Sequence, residues 1–555
     1  MGRPRRRPGV SRRDLLRGAA GALAITPWLT ACGGGSGSGA SGDEARATAR
    51  APGSGAMFSH GVASGDPLAD RVILWTHVTP PDSGPMPVDW QIATDASFDD
   101  IIAQGSTLAE PARDHTVKVD PTGLTPDTVS FYRFIAAGNR SATGRTRTLP
   151  AGPTERVRLA AVSCASLPHG FFNAYRRIAE RDDLNAVVHL GDYIYEYGND
   201  PGQYGADVQA GGRTFEPAHE TLSLDDYRTR HACYKLDPDL QALHASHPMI
   251  AIWDDHETAN NAFVDGAENH DPATEGDWPL RRDAGLRAYY EWMPIRVTDP
   301  TDRRVAYRQF RFGDLVELSM LETRLLARSE PAGQADAGDI NDPARQLLGN
   351  TQFDWLRAGL QDSRTRWRLL GQQVMMGQLR LAGLPELMQL PVPELDRLLG
   401  QVPLVGTGGV LLNPDQWDGY RAARQRLFDL FANTGNVVVL TGDIHTSWAM
   451  DLQPDPFPIT GSLFGGPPVG VEFVVPSVTS PGLPQLQPAR QLIRVNNPHI
   501  RYVDLAEHGY VIVDVDAQRV EAQWWYVDDI LGPSNGERLG ATMRTESGAN
   551  RLTAG

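Results

Sequence analysis

Ala186-Val187-Val188-His189-Leu190-Gly191-Asp192-Tyr193-Ile194-Tyr195-Glu196 joins an apolar, β-branched run to a glycine, an aspartate and a tyrosine. Such a run reads as a strand buried on both faces, and the Gly-Asp pair as the turn beyond its carboxyl end. The pattern recurs twice. Met249-Ile250-Ala251-Ile252 leads into Trp253-Asp254-Asp255-His256-Glu257, and Val437-Val438-Val439-Leu440 leads into Gly442-Asp443-Ile444-His445. Open α/β sheets place ligands beyond the carboxyl ends of their strands, so acids and histidines far apart in sequence can converge there. Two cations held about 3.5–4 Å apart by such groups can polarise a phosphate and activate a water. The pattern predicts a metal-dependent phosphoesterase.

The chain has 555 residues, 41% hydrophobic and 22% charged, which suits a soluble catalytic unit with a smaller second domain. Its basic residues are almost all arginine, the only lysines being Lys118 and Lys235. Ser11-Arg12-Arg13-Asp14-Leu15-Leu16-Arg17 precedes an apolar run from Gly18 to Ala31, which matches a twin-arginine export signal. The run ends in Leu29-Thr30-Ala31-Cys32, which has the form of a lipoprotein cleavage box and makes Cys32 a candidate for acylation and membrane attachment. Cleavage without lipidation near Ala31 is the alternative. Removing residues 1–31 takes seven arginines and one aspartate away, moving the net charge from −16 to −22. Such a chain has no general nucleic-acid-binding face, whereas divalent cations suit it. Three cysteines, Cys32, Cys164 and Cys233, exclude a disulfide scaffold.

Residues 1–32 are therefore read as the signal and 33–56 as a Gly/Ser/Ala/Pro linker. Short alternating runs such as Arg71-Val72-Ile73-Leu74-Trp75-Thr76 and Ser130-Phe131-Tyr132-Arg133-Phe134 predict a small antiparallel β-sandwich over 57–150, of immunoglobulin- or fibronectin-like type. Strand and helix patterns then alternate through 155–530, the signature of a layered α/β fold with a β-sandwich core flanked by helices. Strands are expected at Val157 to Val162, Leu315 to Leu321 and Arg368 to Met376, with Phe171 to Glu180 helical. Gly470-Val471-Glu472-Phe473 and Tyr510-Val511-Ile512-Val513 are expected to complete a second sheet. A Leu-, Pro- and Gly-rich insertion spans 378–412, and 531–555 reads as a tail.

The motif order D-x-x-Y, D-D-H-E, G-D-x-H resembles the calcineurin-like metallophosphoesterases. Asp255 stands where that superfamily usually has asparagine, Asp443 replaces the first histidine of its last pair, and Cys164 stands at the end of the first strand where an aspartate is usual. These changes, with Tyr195, resemble the alkaline phosphatase D family. Phe58-Ser59-His60-Gly61-Val62-Ala63-Ser64-Gly65-Asp66-Pro67, Gly419-Tyr420 and Gly470-Val471-Glu472-Phe473 carry the resemblance across nearly the whole mature chain. The resemblance implies ferric iron (Fe3+) bound by Cys164, Asp192, Tyr195 and His445. It implies calcium (Ca2+) sharing Asp192 and adding Asp255, Asp443 and Asn261. Thiolate, phenolate and imidazole suit a transition metal, and carboxylates and amides a hard cation.

Taken singly, Asp192 is an ordinary helix cap, Cys164 a small core residue and His256 a structural histidine. Their recurrence at successive strand ends favours a site. His256 is the expected proton donor to the leaving oxygen. Arg228 and Arg324 are candidates to grip phosphate, with ion pairing the alternative for each. Gln372 and Gln373 lie near a position where related enzymes carry a histidine ligand. The expected substrate is a small phosphate ester. A phospholipase D-type diesterase acting on phospholipid is the first alternative, and a non-enzymatic, metal-stabilised surface lipoprotein the second.

Overall fold

The computed structural model describes residues 56–332, 339–379, 404–405, 409–410, 414–456 and 466–555. The signal with Cys32, the linker up to residue 55 and nearly all of the 378–412 insertion lie outside them.

Two sheets form the body. The ten-stranded sheet runs, from one edge, through 552–554, 537–546, 519–527, 509–516, 156–162, 186–189, 248–251, 62–65, 73–77 and 116–119. The seven-stranded sheet runs through 308–312, 316–320, 367–372, 437–441, 470–474, 447–452 and 500–504. Each has a parallel centre: 156–162, 186–189, 248–251 and 62–65 in the first, and 316–320, 367–372, 437–441 and 470–474 in the second. Residues of both sheets, among them Val188, Ile250, Leu318, Leu440 and Phe473, share one apolar core. This is why the runs read as strands buried on both faces. Helices Gly349–Asp362 and Arg421–Ala432 cover the outside of the seven-stranded sheet through Leu356, Leu360, Leu427 and Phe431. Helices Asn173–Ala179, Leu224–Lys235, Pro238–Ser246 and Trp278–Trp292 lie against the core of the ten-stranded sheet.

Register decides where chemistry can collect. His189 pairs with Val162 on one side and Ala251 on the other, so three parallel strands end level. Leu440 pairs with Gly371 and Phe473 in the other sheet. The carboxyl ends of the two sheets meet at a bridge between Ser163 and Ser477. Cys164, Asp192, Asp254, Asp255, Arg324, Asp443 and His445 all follow these ends.

The all-β N-terminal unit departs from a free-standing sandwich. One layer contains 101–109, 86–93, 129–136, 139–140 and 144–147. Its other layer, 62–65, 73–77 and 116–119, continues the ten-stranded sheet, with Ser64 paired in parallel to Pro248. Phe58, Leu74, Val88, Ile92 and Phe134 fill the space between the layers. Two expectations need correction. Gly509–Asp516 does not join Gly470–Val474 but lies antiparallel to Arg156–Val162 in the other sheet. The expected tail carries strands Glu537–Glu546 and Leu552–Ala554, which finish the ten-stranded sheet. These outer strands are largely solvent-facing and polar, so they lack the apolar run that marks an interior strand.

Candidate metal centre

The turns that present the acidic groups are conformationally exacting. Gly191 has φ +104°, and a Cβ there would lie 2.4 Å from Cβ of Asp254. The next residue and its counterparts on other strand ends also take the left-handed region: Asp192 at 55°, Cys164 at 61°, Asp443 at 65° and His445 at 58°. Non-glycine residues enter this region rarely and at a cost, and a cluster of them marks a functional turn. Here the turns bring four side chains to one place.

Three overlapping groups of potential ligands result. Cys164, Asp192 and His445 form the first, Asp192, Asp255 and His256 the second, and Asp254, Asp255 and Asp443 the third, each with ligand atoms within 4.8 Å of one another. Asp192 links the first two groups and Asp255 the last two. The Tyr195 hydroxyl joins the first, donating to Oδ2 of Asp192 at 3.0 Å and lying 3.2 Å from Nε2 of His445. Asp192 Oδ1, Asp254 Oδ2 and Asp255 Oδ1 are buried without a hydrogen-bond partner among the described residues. Unsatisfied buried carboxylate oxygens are costly unless a cation receives them. The donor set also divides by softness. The Cys164 thiol, the Tyr195 phenol and the His445 imidazole gather around Asp192, and Asp254, Asp255 and Asp443 form an all-carboxylate group beside them, which fits a transition metal next to a hard cation.

The electrostatics agree. Burial and then the Asp192 charge push the Cys164 thiol and the Tyr195 phenol well above their ordinary ranges. Burial raises Asp254 strongly, and Asp443 to about 6, against the pull of Arg324. Anionic groups crowded this way gain most from positive charge placed among them.

Arg324 supplies part of that charge, although not to a substrate. It is fully buried and donates Nε–H to Asp254, Nη1–H to Asp415 at 2.7 Å and Nη2–H to Asp443. Its role as a phosphate grip is therefore corrected: its fork is spent on carboxylates. Arg228 never reaches the centre. Its Nε and Nη2 donate to Glu291 at 2.7 and 2.9 Å and Nη2 also to Ala112 of the N-terminal unit. Asn261 gives only its backbone N–H to Asp255, at 2.6 Å, while its side-chain amide donates to Glu268. Gln373 donates to the Trp253 and Leu321 carbonyls and Gln372 to Thr441, so both serve packing. Cys164 and Cys233 are both free thiols.

Three acids went unread as site residues. Asp254 stands beside Asp255 in the motif, but only the fold shows that both face the centre. Glu196, next to Tyr195, accepts from His256 Nδ1 at 2.7 Å. Asp415 holds Arg324 and Arg328.

A family model for the PhoD-like phosphatase matches residues 159–524, and a model for the PhoD-like phosphatase N-terminal domain matches 44–150. The chain belongs to the PhoD-like phosphatase family. It is 34% identical to alkaline phosphatase D of Bacillus subtilis strain 168 over 495 residues, covering 86% of this chain and 78% of that one. A solved structure of PhoD superposes with a TM-score of 0.78 at 32% identity, over 90% of this chain and 92% of that one. Membership in the PhoD-like family makes this chain a phosphoester hydrolase. The ligand groups at its strand ends accord with the family's dependence on metal.

Proposed function

We propose that this PhoD-like phosphatase is an exported enzyme that hydrolyses phosphate monoesters and diesters at a centre of ferric iron and calcium. The observation that carries the reading is the chain of ligand groups sharing Asp192 and Asp255, with carboxylate oxygens left unbonded. Cys164, Asp192, Tyr195 and His445 would hold the iron. Asp192, Asp255 and Asp443 would hold calcium, with Asp254 replacing Asn261 in the set the sequence suggested. When bound, the cations supply Lewis acidity, which polarises the phosphate and brings water's pKa toward neutrality.

The chain's own groups do the rest. The carboxylates present their free oxygens from rigid strand ends, and Arg324, bonded to Asp254 and Asp443 and 3.6 Å from Asp255 Oδ1, keeps these three from repelling one another apart. His256 stands beside Asp192 and Asp255, and its ring lies 4.3 Å from that of Tyr195. With Nδ1 bonded to Glu196, Nε2 remains to give a proton to the leaving oxygen. Export rests on the twin-arginine pattern of residues 1–32, a route that carries folded, metal-loaded proteins. Among the described residues no helix is long and apolar enough to cross a membrane. Attachment would rest on acylated Cys32.

One observation favours the phospholipase D-type reading on the same site. Ile444, between Asp443 and His445, packs with Leu379 and Leu486 into an apolar cluster that could take a lipid leaving group. Product release from p-nitrophenyl phosphate, bis(p-nitrophenyl) phosphate and phosphatidylcholine tests both readings. Turnover of the first two and not the third is expected. Product release no greater than that of a chelated control on all three would overturn them.

A further inference from the structure

Glu196 is fully buried one residue beyond Tyr195. A buried carboxylate survives only with partners, and each oxygen has them. Oε2 accepts from Nδ1 of His256 at 2.7 Å. Oε1 accepts from the backbone N–H of Asn260 and from Nδ2 of Asn269, both at 2.8 Å. Because the carboxylate can only accept, the imidazole nitrogen facing it must carry the proton.

The bonding extends outward. Asn269 Nδ2 also donates to Glu220 Oε1 at 3.3 Å, and Glu220 is held by Nη2 of Arg281 at 2.9 Å. Arg281, 1% exposed on helix Trp278–Trp292, is itself fixed by Glu275 at 3.0 Å and Tyr227 at 3.2 Å. The His256 ring is thus tied through three side chains, Glu196, Asn269 and Glu220, to Arg281 on a helix outside the ligand groups.

We infer that Glu196 is a positioning residue for His256: by accepting from Nδ1–H it fixes the ring orientation that aims Nε2 at the leaving oxygen, and it keeps the hydrogen on Nδ1 when Nε2 gives up its own. This rests on the phosphoesterase reading and on His256 as proton donor. The logic is that of a carboxylate orienting a catalytic imidazole, where loss of the carboxylate leaves the ring in place with the wrong tautomer. Glu196→Gln keeps size and shape but turns an N–H toward Nδ1. The ring meets that N–H only with a bare Nδ1, so the doubly protonated ring that can give up its Nε2 proton loses its partner there.

The test compares p-nitrophenyl phosphate, with a good leaving group, and an alkyl phosphate, with a poor one. Glu196→Gln should lower kcat about 10²-fold on the alkyl ester and less than about tenfold on the nitrophenyl ester. Metal content should match wild type. Glu196→Asp, which keeps a carboxylate, should recover part of the loss. A double variant with His256→Ala should be no slower than His256→Ala alone, because the two residues act as a unit. Equal losses on both esters, or a multiplicative double variant, would overturn the proposal. Asn269→Ala, which removes one of the two donors to Oε1, should show the same selectivity in smaller measure and decides the matter if Glu196→Gln does not fold. Absence of phosphate release by the wild-type chain from both esters would instead defeat the phosphoesterase reading and this proposal with it.

Discussion

The Tyr195 hydroxyl lies 3.2 Å from Nε2 of His445, although 250 residues separate them in the chain. Ser480 Oγ donates to the same phenol oxygen at 2.6 Å. Tyr193, two residues earlier, turns the other way and bonds Nε2 of His244 at 2.8 Å. The two tyrosines therefore make a matched pair for asking which one serves a metal.

A phenolate or thiolate on ferric iron donates density into a partly filled d shell, so native protein should be coloured. Zinc or calcium, with no such shell, would give none. Tyr195→Phe should fade or shift the band, Cys164→Ser should perturb it and weaken iron retention, and Tyr193→Phe should leave it intact. Visible absorption spectra with iron analysis check this. A colourless active enzyme, or a band that depends on Tyr193, would refute the iron ligand set.

Asp192 belongs to two ligand groups, so Asp192→Ala should remove both metals and activity together. EGTA should inactivate the native enzyme reversibly, with calcium restoring it, because an all-oxygen shell holds its ion more loosely than thiolate and phenolate hold iron. Elemental analysis before and after dialysis is the measurement. Full metal occupancy in Asp192→Ala would remove that residue from its bridging place.

Arg324→Leu should destabilise the apo-protein by about 3–5 kcal/mol, since Asp254, Asp415 and Asp443 would be left buried without their cation. Excess calcium should recover part of the loss, which a purely packing defect would not show. Thermal unfolding with and without calcium separates the two outcomes.

Lys235 gives a pH dependence of known sign. It is 1% exposed, with Nζ 3.1 Å from Nε2 of His244 and 4.5 and 5.3 Å from the ring centres of Trp75 and Tyr193. His189 and His231 lie in the same buried region, and among the described residues no carboxylate faces the amine in an ion pair. Burial holds Lys235 well below its usual 10.5. The unfolded chain thus binds a proton that the folded chain gives up, and stability rises with pH until the unfolded lysine also loses its proton. Lys235→Met should raise the melting temperature near neutral pH, and the gain should vanish by about pH 11. A gain that stays constant with pH would show that only packing had changed.

The ligand-bearing strand ends were legible because a β-branched run followed by Gly-Asp is local information. Asp192, Asp255, Asp443 and His445 could be singled out on that basis, and Tyr195 and Cys164 through the family resemblance; the structure brings the six together. Arg228 and Arg324 had equal claims in sequence, and the fold separates them by 63- and 70-residue contacts, to Glu291 and Asp254 respectively. Asp254 and Glu196 sat beside residues already chosen. Whether one or both of two consecutive polar side chains face a site depends on backbone angles, and the turns here take left-handed values no run of letters announces.

Composition and local pattern gave buried strands with metal-seeking groups at their ends, and the motifs along the chain added the phosphoesterase resemblance. Tertiary structure alone decided which carboxylates gather as potential ligand groups and which of them Arg324 holds. It also decided that Glu196 orients His256, and that strands from both ends of the chain complete one sheet. The physical reason is reach. Strand-forming tendency acts over a few residues, whereas hydrogen bonds, ion pairs and burial act through space between groups that only the fold makes neighbours.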